Sequence, residues 1–214
     1  MLIACWSTKG GVGTSVVAAA LALLLGRTAD RGVVLADLAG DGPAVLGLPE
    51  PVSPGLAGWL SAGSRVPADA LARIEIEVAP GLALLPRGDG PLSAGRAEVL
   101  AAVLDGATRT AVVDCGRVDD PAVATVAGRA GRSLLVTGSC YVALRRVRLA
   151  PVRPSGVVLV TEPGRVLSSA DVAEAAEAPV VAEVPLDPQV ARLVDSGLLA
   201  GRLPRSLHPL RAAA

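Results

Sequence analysis

The stretch Lys9-Gly10-Gly11-Val12-Gly13-Thr14-Ser15 separates two apolar segments near the start of a chain of 214 residues. Residues 1–6 precede it and residues 16–25 follow it. This order predicts a buried strand, a glycine-rich loop and a helix. Such a loop turns its backbone N–H groups toward an anion, with the positive end of the helix dipole behind them. The sequence therefore predicts a phosphate-binding loop formed by Lys9, Gly10, Gly11, Val12, Gly13, Thr14 and Ser15.

The charged residue of this loop is displaced relative to the ordinary phosphate loop, which ends in Gly-Lys-Ser/Thr. In that motif the lysine reaches the outer phosphates and the hydroxyl holds magnesium. Ser15 supplies the hydroxyl, but Thr14 occupies the lysine position, and Lys9 stands at the front of the loop. Lys9 is the only lysine of the chain, beside 19 arginines. Its retention indicates a position that needs a compact ammonium group on a flexible stem.

The heptapeptide KGGVGTS resembles the deviant Walker A loop, K-G-G-x-G-K-[ST], of the MinD/ParA family of dimerising ATPases. The resemblance implies that ATP and Mg²⁺ are the ligands. It also implies that Lys9 is catalytic and reaches across a homodimer to the partner's nucleotide. Thr14 makes the loop similar to that of the pilus-assembly branch called CpaE or TadZ, in which a small residue often replaces the second lysine. The active site that follows from this similarity is degenerate and binds ATP weakly.

Two apolar segments that end in aspartate predict buried strands, at residues 33–37 and residues 110–114. The family resemblance implies a catalytic role for Asp37, at the end of the first strand. It implies that Asp114, at the end of the second, holds magnesium together with Ser15. The alternative for both aspartates is a structural one, in which a residue at the end of a strand caps the following loop.

The segment after the first of these strands departs from the family pattern D-x-D, because it reads Asp37-Leu38-Ala39. In the family the second aspartate orients the attacking water, so Ala39 implies slow hydrolysis. Asp41 follows two residues later, but a displaced carboxylate rarely recovers such geometry. We therefore expect ATPase activity to be weak or absent.

The resemblance also implies where the nucleotide base lies, near the ends of two further predicted strands at residues 156–161 and residues 180–184. The implied contacts come from Thr161, at the end of the first strand, and from Pro185 and Asp187, which resemble the family's I-P-x-D loop. The asparagine with which MinD relatives read adenine is missing after the first of these strands. The resemblance therefore does not extend to adenine recognition.

The composition of the chain limits its fold class. An apolar fraction of 51% is ample for one core, and with 1% aromatic residues that core must consist of Val, Leu and Ala. Apolar runs of this kind are typical of parallel strands covered by helices. We predict an α/β, three-layer P-loop NTPase fold with a mostly parallel central sheet and helices on both faces. The P-loop domain is expected at residues 1–202, with an edge ribbon at 73–78 and 81–86, and a flexible tail at 203–214.

Charge, cysteine content and the length of apolar runs restrict location and partners. A formal net charge of zero argues against a constitutive nucleic-acid binder. Three scattered cysteines fit buried free thiols in a reducing cytoplasm. The longest apolar run, residues 16–25, falls short of the ~20 residues that a membrane span needs. We expect a cytoplasmic protein without a transmembrane segment, recruited to the membrane or the pole by protein partners in a membrane-associated assembly.

Three functions follow from these observations. The first is a dimeric nucleotide-binding factor that positions or assembles pilus or secretion machinery, with weak or absent hydrolysis. The second is a pseudo-ATPase scaffold that binds no nucleotide, which the residues Thr14 and Ala39 favour. The third is a DNA-segregation ATPase of the ParA type, which would use the arginines at residues 145–153. A solvated helix face is the favoured explanation of those arginines.

Overall fold

The computed structural model describes residues 1–51, 54–63, 66–67 and 69–214. The strands are β1 (Leu2–Ser7), β2 (Val33–Asp37), β3 (Ile76–Ala79), β4 (Leu82–Leu85), β5 (Thr110–Arg117), β6 (Arg132–Gly138), β7 (Gly156–Thr161) and β8 (Val180–Pro185). The α-helices are α1 (Thr14–Gly26), α2 (Gly42–Leu46), α3 (Gly55–Ser61), α4 (Ala97–Gly106), α5 (Pro121–Arg129), α6 (Tyr141–Val147), α7 (Ser169–Ala176) and α8 (Pro188–Asp195). Short 3₁₀ helices cover Ala72–Ile74, Ala94–Arg96 and Arg205–Ala213.

The strands form one eight-stranded sheet in the order β3-β4-β2-β5-β1-β6-β7-β8. Neighbouring strands are parallel except β3 and β4, which form an antiparallel ribbon at one edge. The predicted α/β class, mostly parallel sheet and edge ribbon are thereby confirmed. Because parallel strands end at the same edge of a sheet, the segments that follow β1, β2 and β5 meet at one place.

The two faces of the sheet carry separate apolar clusters, because side chains alternate along each strand. In β1 the residues Leu2, Ala4 and Trp6 belong to one cluster, which α4 and α5 cover. Ile3 and Cys5 belong to the other cluster, which α1 covers. The predicted three layers, with helices on both faces of the sheet, are confirmed.

Strand β5 continues beyond its predicted end at Asp114. The extension is held by β1: Arg117 lies opposite Ser7 in the parallel register, and the N–H of Val118 donates to the carbonyl of Ser7 at 3.0 Å. The Ser7 hydroxyl also donates to the carbonyl of Gly116 at 3.1 Å. These bonds place the last residues of β5 beside the start of the loop that follows β1.

Two of the three cysteines are buried free thiols, as the sequence predicted. Cys5 and Cys115 are buried free thiols, whereas Cys140 is partly exposed. Burial, followed by the negative charge of Asp114, raises the pKa of both buried thiols. No helix in the described part of the chain has the length and apolarity that a membrane crossing requires.

The C-terminal segment differs from the predicted flexible tail at residues 203–214. Its 3₁₀ helix buries Leu207, Leu210 and Ala213 and packs on α1 and β8. The spacing of three residues explains the packing, because a 3₁₀ helix has three residues per turn and therefore aligns these side chains on one face. The sequence showed no period of an α-helix here, and for that reason the segment was expected to be unstructured.

We predict that Leu210→Ala lowers the free energy of unfolding by about 2–5 kcal/mol, the usual cost of truncating a fully buried leucine. Leu210 is 0% exposed. Leu198→Ala is the matched control, since Leu198 is 56% exposed and its truncation should change stability little. Urea unfolding of the two variants measures the difference. Equal stability losses would show that the C-terminal helix does not contribute to the core.

Candidate functional site

The loop between β1 and α1 has the conformation that an anion-binding loop requires. Gly11 and Gly13 have φ values of 77° and 85°, in the left-handed region that favours glycine. Nothing lies within 4 Å of the position that a Cβ atom would take on either residue, so the surface of the loop is open. Helix α1 begins directly after the loop, at Thr14. Its first N–H groups therefore point toward the loop without partners inside the helix.

Two cavities border this loop. A cavity of about 610 Å³, the loop cavity, touches Gly10, Gly11, Gly13, Thr14 and Ser15. A cavity of about 410 Å³, the apolar cavity, touches Lys9, Gly11, Val12 and Gly13 from the other side. The structure thus brings every loop residue that the sequence predicted to one of the two cavities.

Lys9 lies at the edge of the apolar cavity and forms no salt bridge with the described residues. The thiol of Cys140 lines the same cavity. The pKa of this thiol is lowered first by the backbone N–H groups of Ala143 and Val142, and then by the charges of Lys9 and Arg165. An ammonium group without a carboxylate partner is available to an anionic ligand.

Ser15 lines the loop cavity, and Asp114 is buried next to it. Burial raises the pKa of Asp114, and hydrogen bonding by the Ser15 hydroxyl lowers it by a smaller amount. The Asp114 Oδ1 atom accepts a hydrogen bond from the N–H of Gly116 at 3.0 Å. Its Oδ2 atom is buried and has no hydrogen-bond partner. The Ser15 hydroxyl donates to Asp41 Oδ2 at 3.3 Å. Asp41, which sequence analysis named only as a displaced carboxylate, therefore reaches Ser15, because the backbone turns at residues 37–42.

This donor set fits magnesium. A hydroxyl, an orphaned buried carboxylate oxygen and a second carboxylate are hard oxygen ligands of the kind Mg²⁺ prefers. The described residues contain no group of three or more His, Cys, Asp or Glu side chains that could hold a metal ion by themselves. Ser15 and Asp114 would therefore hold the ion only together with phosphate and water, as Mg²⁺ is usually bound.

Asp37 is buried, and both its carboxylate oxygens are used by the following loop. Oδ1 accepts from the N–H of Gly40 at 2.7 Å and Oδ2 accepts from the N–H of Gly42 at 2.8 Å. Neither Asp37 nor Asp114 lines the loop cavity or the apolar cavity, but Asp114 keeps one carboxylate oxygen without a hydrogen-bond partner and Asp37 does not. This geometry favours the alternative in which Asp37 caps the loop over the predicted catalytic role. Ala39 does line the loop cavity, and it brings no carboxylate there.

The two strand-end aspartates are neighbours, since Asp37 and Asp114 lie opposite each other in the register of β2 and β5. Burial, and then the charge of Asp37, raises the pKa of Asp114 to about 7. Burial also raises the pKa of Asp37, against the lowering effect of its backbone hydrogen bonds. A cation beside Asp114 would offset the cost of its negative charge.

The predicted base contacts are only partly assembled. Pro185 and Asp187 line the apolar cavity. Asp187 caps α8 by accepting from the N–H of Gln189 at 2.8 Å, and it also accepts from the hydroxyl of Ser206 at 2.7 Å. The hydroxyl of Thr161 is directed to the carbonyl of Val184 at 3.5 Å, and Thr161 is not among the lining residues.

Two arginines of the loop cavity, Arg87 and Arg117, were missed by sequence reasoning. Arg87 follows the edge ribbon, far from the loop in sequence, and only the strand order brings the two together. Arg117 lies on the unpredicted extension of β5. The apolar run that ends in aspartate identified Asp114 from the sequence. Arg117 lies three residues further along the same strand and would have been identified if the strand had been predicted to continue.

The fold and the loop define this chain as a P-loop NTPase of the MinD/ParA type. Residues 3–200 match the family model of the CobQ/CobB/MinD/ParA nucleotide binding domain. The chain therefore belongs to this family. No curated protein matches the sequence.

Solved structures support the same fold. The septum site-determining protein MinD from Pyrococcus horikoshii, complexed with Mg-ADP, is 18% identical with a TM-score of 0.78, over 99% of this chain and 93% of that one. A ParA family ATPase from Chlorobium tepidum is 21% identical with a TM-score of 0.79, over 99% and 96%. MinD in the MinC:MinD complex from Aquifex aeolicus is 20% identical with a TM-score of 0.78, over 99% and 93%.

We predict that Asp114→Asn raises the free energy of unfolding at pH 8 and leaves it nearly unchanged near pH 4. The pKa of Asp114 in the folded protein, about 7, exceeds that of an unfolded aspartate. The folded protein thus binds a proton that the unfolded chain has released, and this contribution to stability is lost as pH rises through about 7. The asparagine variant lacks this loss.

Urea unfolding between pH 4 and pH 8 measures this difference. Asp30→Asn serves as the control, because Asp30 is exposed and its replacement should shift the whole curve by little. Parallel stability curves for Asp114→Asn and the wild type would contradict the assignment.

Proposed function

We propose that the protein is a nucleotide-responsive homodimer that positions or assembles a larger machine of the pilus or secretion type, with weak or absent ATP hydrolysis. One observation carries the proposal: Ser15 of the anion-binding loop lies beside Asp114, whose Oδ2 atom has no hydrogen-bond partner, while residues 14 and 39 are neutral. The family membership of residues 3–200, and the Mg-ADP bound to the MinD of P. horikoshii, support a nucleotide as the ligand.

Binding of the phosphates depends on the backbone of the loop. The Cβ positions of Gly11 and Gly13 are unobstructed, so a phosphate can approach the loop backbone there, and the hydroxyls of Thr14 and Ser15 add donors. Magnesium, when bound with the nucleotide, supplies positive charge against the phosphates. Asp114 and Ser15 are the residues that would hold it. Lys9, which has no salt bridge with the described residues, is proposed to reach the nucleotide of the partner protomer.

At position 39, where the family's second aspartate orients the attacking water, an alanine lines the loop cavity. The carboxylates that line the loop cavity are Asp41 and Asp120. Asp41 accepts from the Ser15 hydroxyl, and Asp120 caps α5 by accepting from the N–H of Ala122 at 2.8 Å. Since Ala39 contributes no carboxylate, we expect the protein to bind ATP and to hydrolyse it slowly or not at all.

Assignment to the CpaE/TadZ branch rests on Thr14, a small residue at the lysine position of a deviant Walker A loop. A role through protein partners is consistent with the MinC:MinD complex of A. aeolicus, in which a protein of this fold binds another protein. We propose that the dimer acts in the cytoplasm and is recruited to a membrane-associated assembly by such partners.

A nucleotide-free scaffold is the second candidate, favoured by the neutral Thr14 and by the side chain of Thr161, which does not line the apolar cavity. A DNA-segregation ATPase is the third and has the least support. The arginines of α6 are exposed, at positions 145 and 146, but the formal net charge of the chain is zero.

We predict that calorimetric titration detects binding of ATP with magnesium to the wild type, and that Lys9→Ala weakens it and abolishes ATP-dependent dimerisation in analytical ultracentrifugation. Arg31→Ala is the matched control: it also removes one positive charge, but Arg31 is exposed and precedes β2, at the opposite edge of the sheet. Absence of binding at millimolar ATP would leave the scaffold as the function.

We further predict that Thr14→Lys tightens ATP binding by about ten- to a hundredfold, since it restores a charge-assisted contact to phosphate. Thr14→Met has a side chain of comparable reach without the charge, so it should not tighten binding. An equal effect of the two substitutions would show that charge at position 14 is not what limits affinity.

A further inference from the structure

Arg117 lies against the phosphate-binding loop. It ends β5 opposite Ser7, the last residue of β1. Its Cδ atom is 3.8 Å from the position that a Cβ atom would take on Gly10. Its guanidinium pairs with Asp119, and the two side chains are 57% and 62% exposed. An ion pair this exposed contributes little, so the guanidinium can exchange this partner for a phosphate.

Arg87 lines the same loop cavity and contacts the turn that follows β2. Its Cδ atom is 3.1 Å from the position that a Cβ atom would take on Gly40. Its Nη1 donates to the carbonyl of Leu38, and its Nη2 donates to the carbonyl of Gly90 at 3.4 Å. Both acceptors are uncharged, and Arg87 has no salt bridge with the described residues. Its positive charge is therefore held in place but not neutralised.

The two arginines border the same cavity as Thr14 and Ser15. This is the part of the site that lacks the usual lysine. A guanidinium presents its N–H groups as a planar fork, which matches the oxygens of a phosphate better than a single ammonium does. Because Arg87 and Arg117 come from different strand ends, β4 and β5, their positions are fixed by the sheet and not by the loop.

We propose that Arg87 and Arg117 together take the place of the missing loop lysine and bind the outer phosphates of a nucleoside triphosphate. The inference rests on the proposed function, in that it requires a nucleotide on the loop. It adds the prediction that the protein distinguishes the triphosphate from the diphosphate through residues outside the loop. The triphosphate carries more charge at the end that faces the arginines, so it gains more from them than the diphosphate does.

The test is calorimetric titration of ATP and of ADP, each with magnesium, into Arg87→Gln, Arg117→Gln and the control Arg31→Gln. We expect each of the first two variants to weaken ATP binding by about tenfold or more, the cost of one charge-assisted contact, and to change ADP binding by less than about threefold. Arg31→Gln should bind both nucleotides like the wild type. Thermal unfolding of each variant checks that the fold is intact.

The outcomes separate the two proposals. If the wild type binds neither nucleotide, the proposed function fails. If it binds both and the two variants bind ATP as tightly as the wild type, the arginine proposal fails while the proposed function stands. Equal losses for ATP and ADP would also overturn it, because they would show a general electrostatic effect. If Arg87→Gln does not fold, Arg87→Lys replaces it. The lysine keeps the positive charge but lacks the planar guanidinium, so it should still weaken ATP binding more than ADP binding.

Discussion

The site depends on the position of β1, a strand buried along its whole length between β5 and β6. Its side chains enter both apolar clusters, so the strand cannot shift without disrupting the packing on both faces of the sheet. The glycine loop begins where this strand ends, and α1 continues from the loop into the second cluster. Both ends of the loop are therefore held by buried elements, β1 before it and α1 after it. The loop does not need to pack on the core itself, so its surface stays open.

The sequence predicted the elements that obey a simple period or a strong motif. The glycine loop and the parallel strands that carry Asp37 and Asp114 are where they were expected, although β5 continues to Arg117, and the first strand of the edge ribbon starts later than expected, at Ile76. The C-terminal helix was missed because its period is three. Arg87 and Arg117 were missed because their approach to the loop follows from strand order and from the extension of β5, neither of which is visible in a linear pattern.

The distribution of charge at the site distinguishes binding from turnover. The loop has lost a cation at Thr14, and two arginines from the neighbouring strand ends border the same cavity. The site also lacks a carboxylate at position 39, where hydrolysis needs one to orient water. Asp41 does not stand in that position and hydrogen-bonds to the hydroxyl of Ser15. In the proposed arrangement, cations at the rim compensate in part for the first loss, since attraction to phosphate acts over several ångströms and from more than one direction. Orientation of a water molecule requires one fixed geometry, so the second loss is not compensated.

The central claim is that the protein binds ATP without turning it over at an ordinary rate. A single-turnover experiment tests it most directly: protein in excess over radiolabelled ATP, with magnesium, is quenched over time and the nucleotides are separated. The account predicts that ATP is retained with the protein and remains largely intact over minutes. Complete conversion to ADP and phosphate within seconds would contradict it, as would the absence of any retained nucleotide.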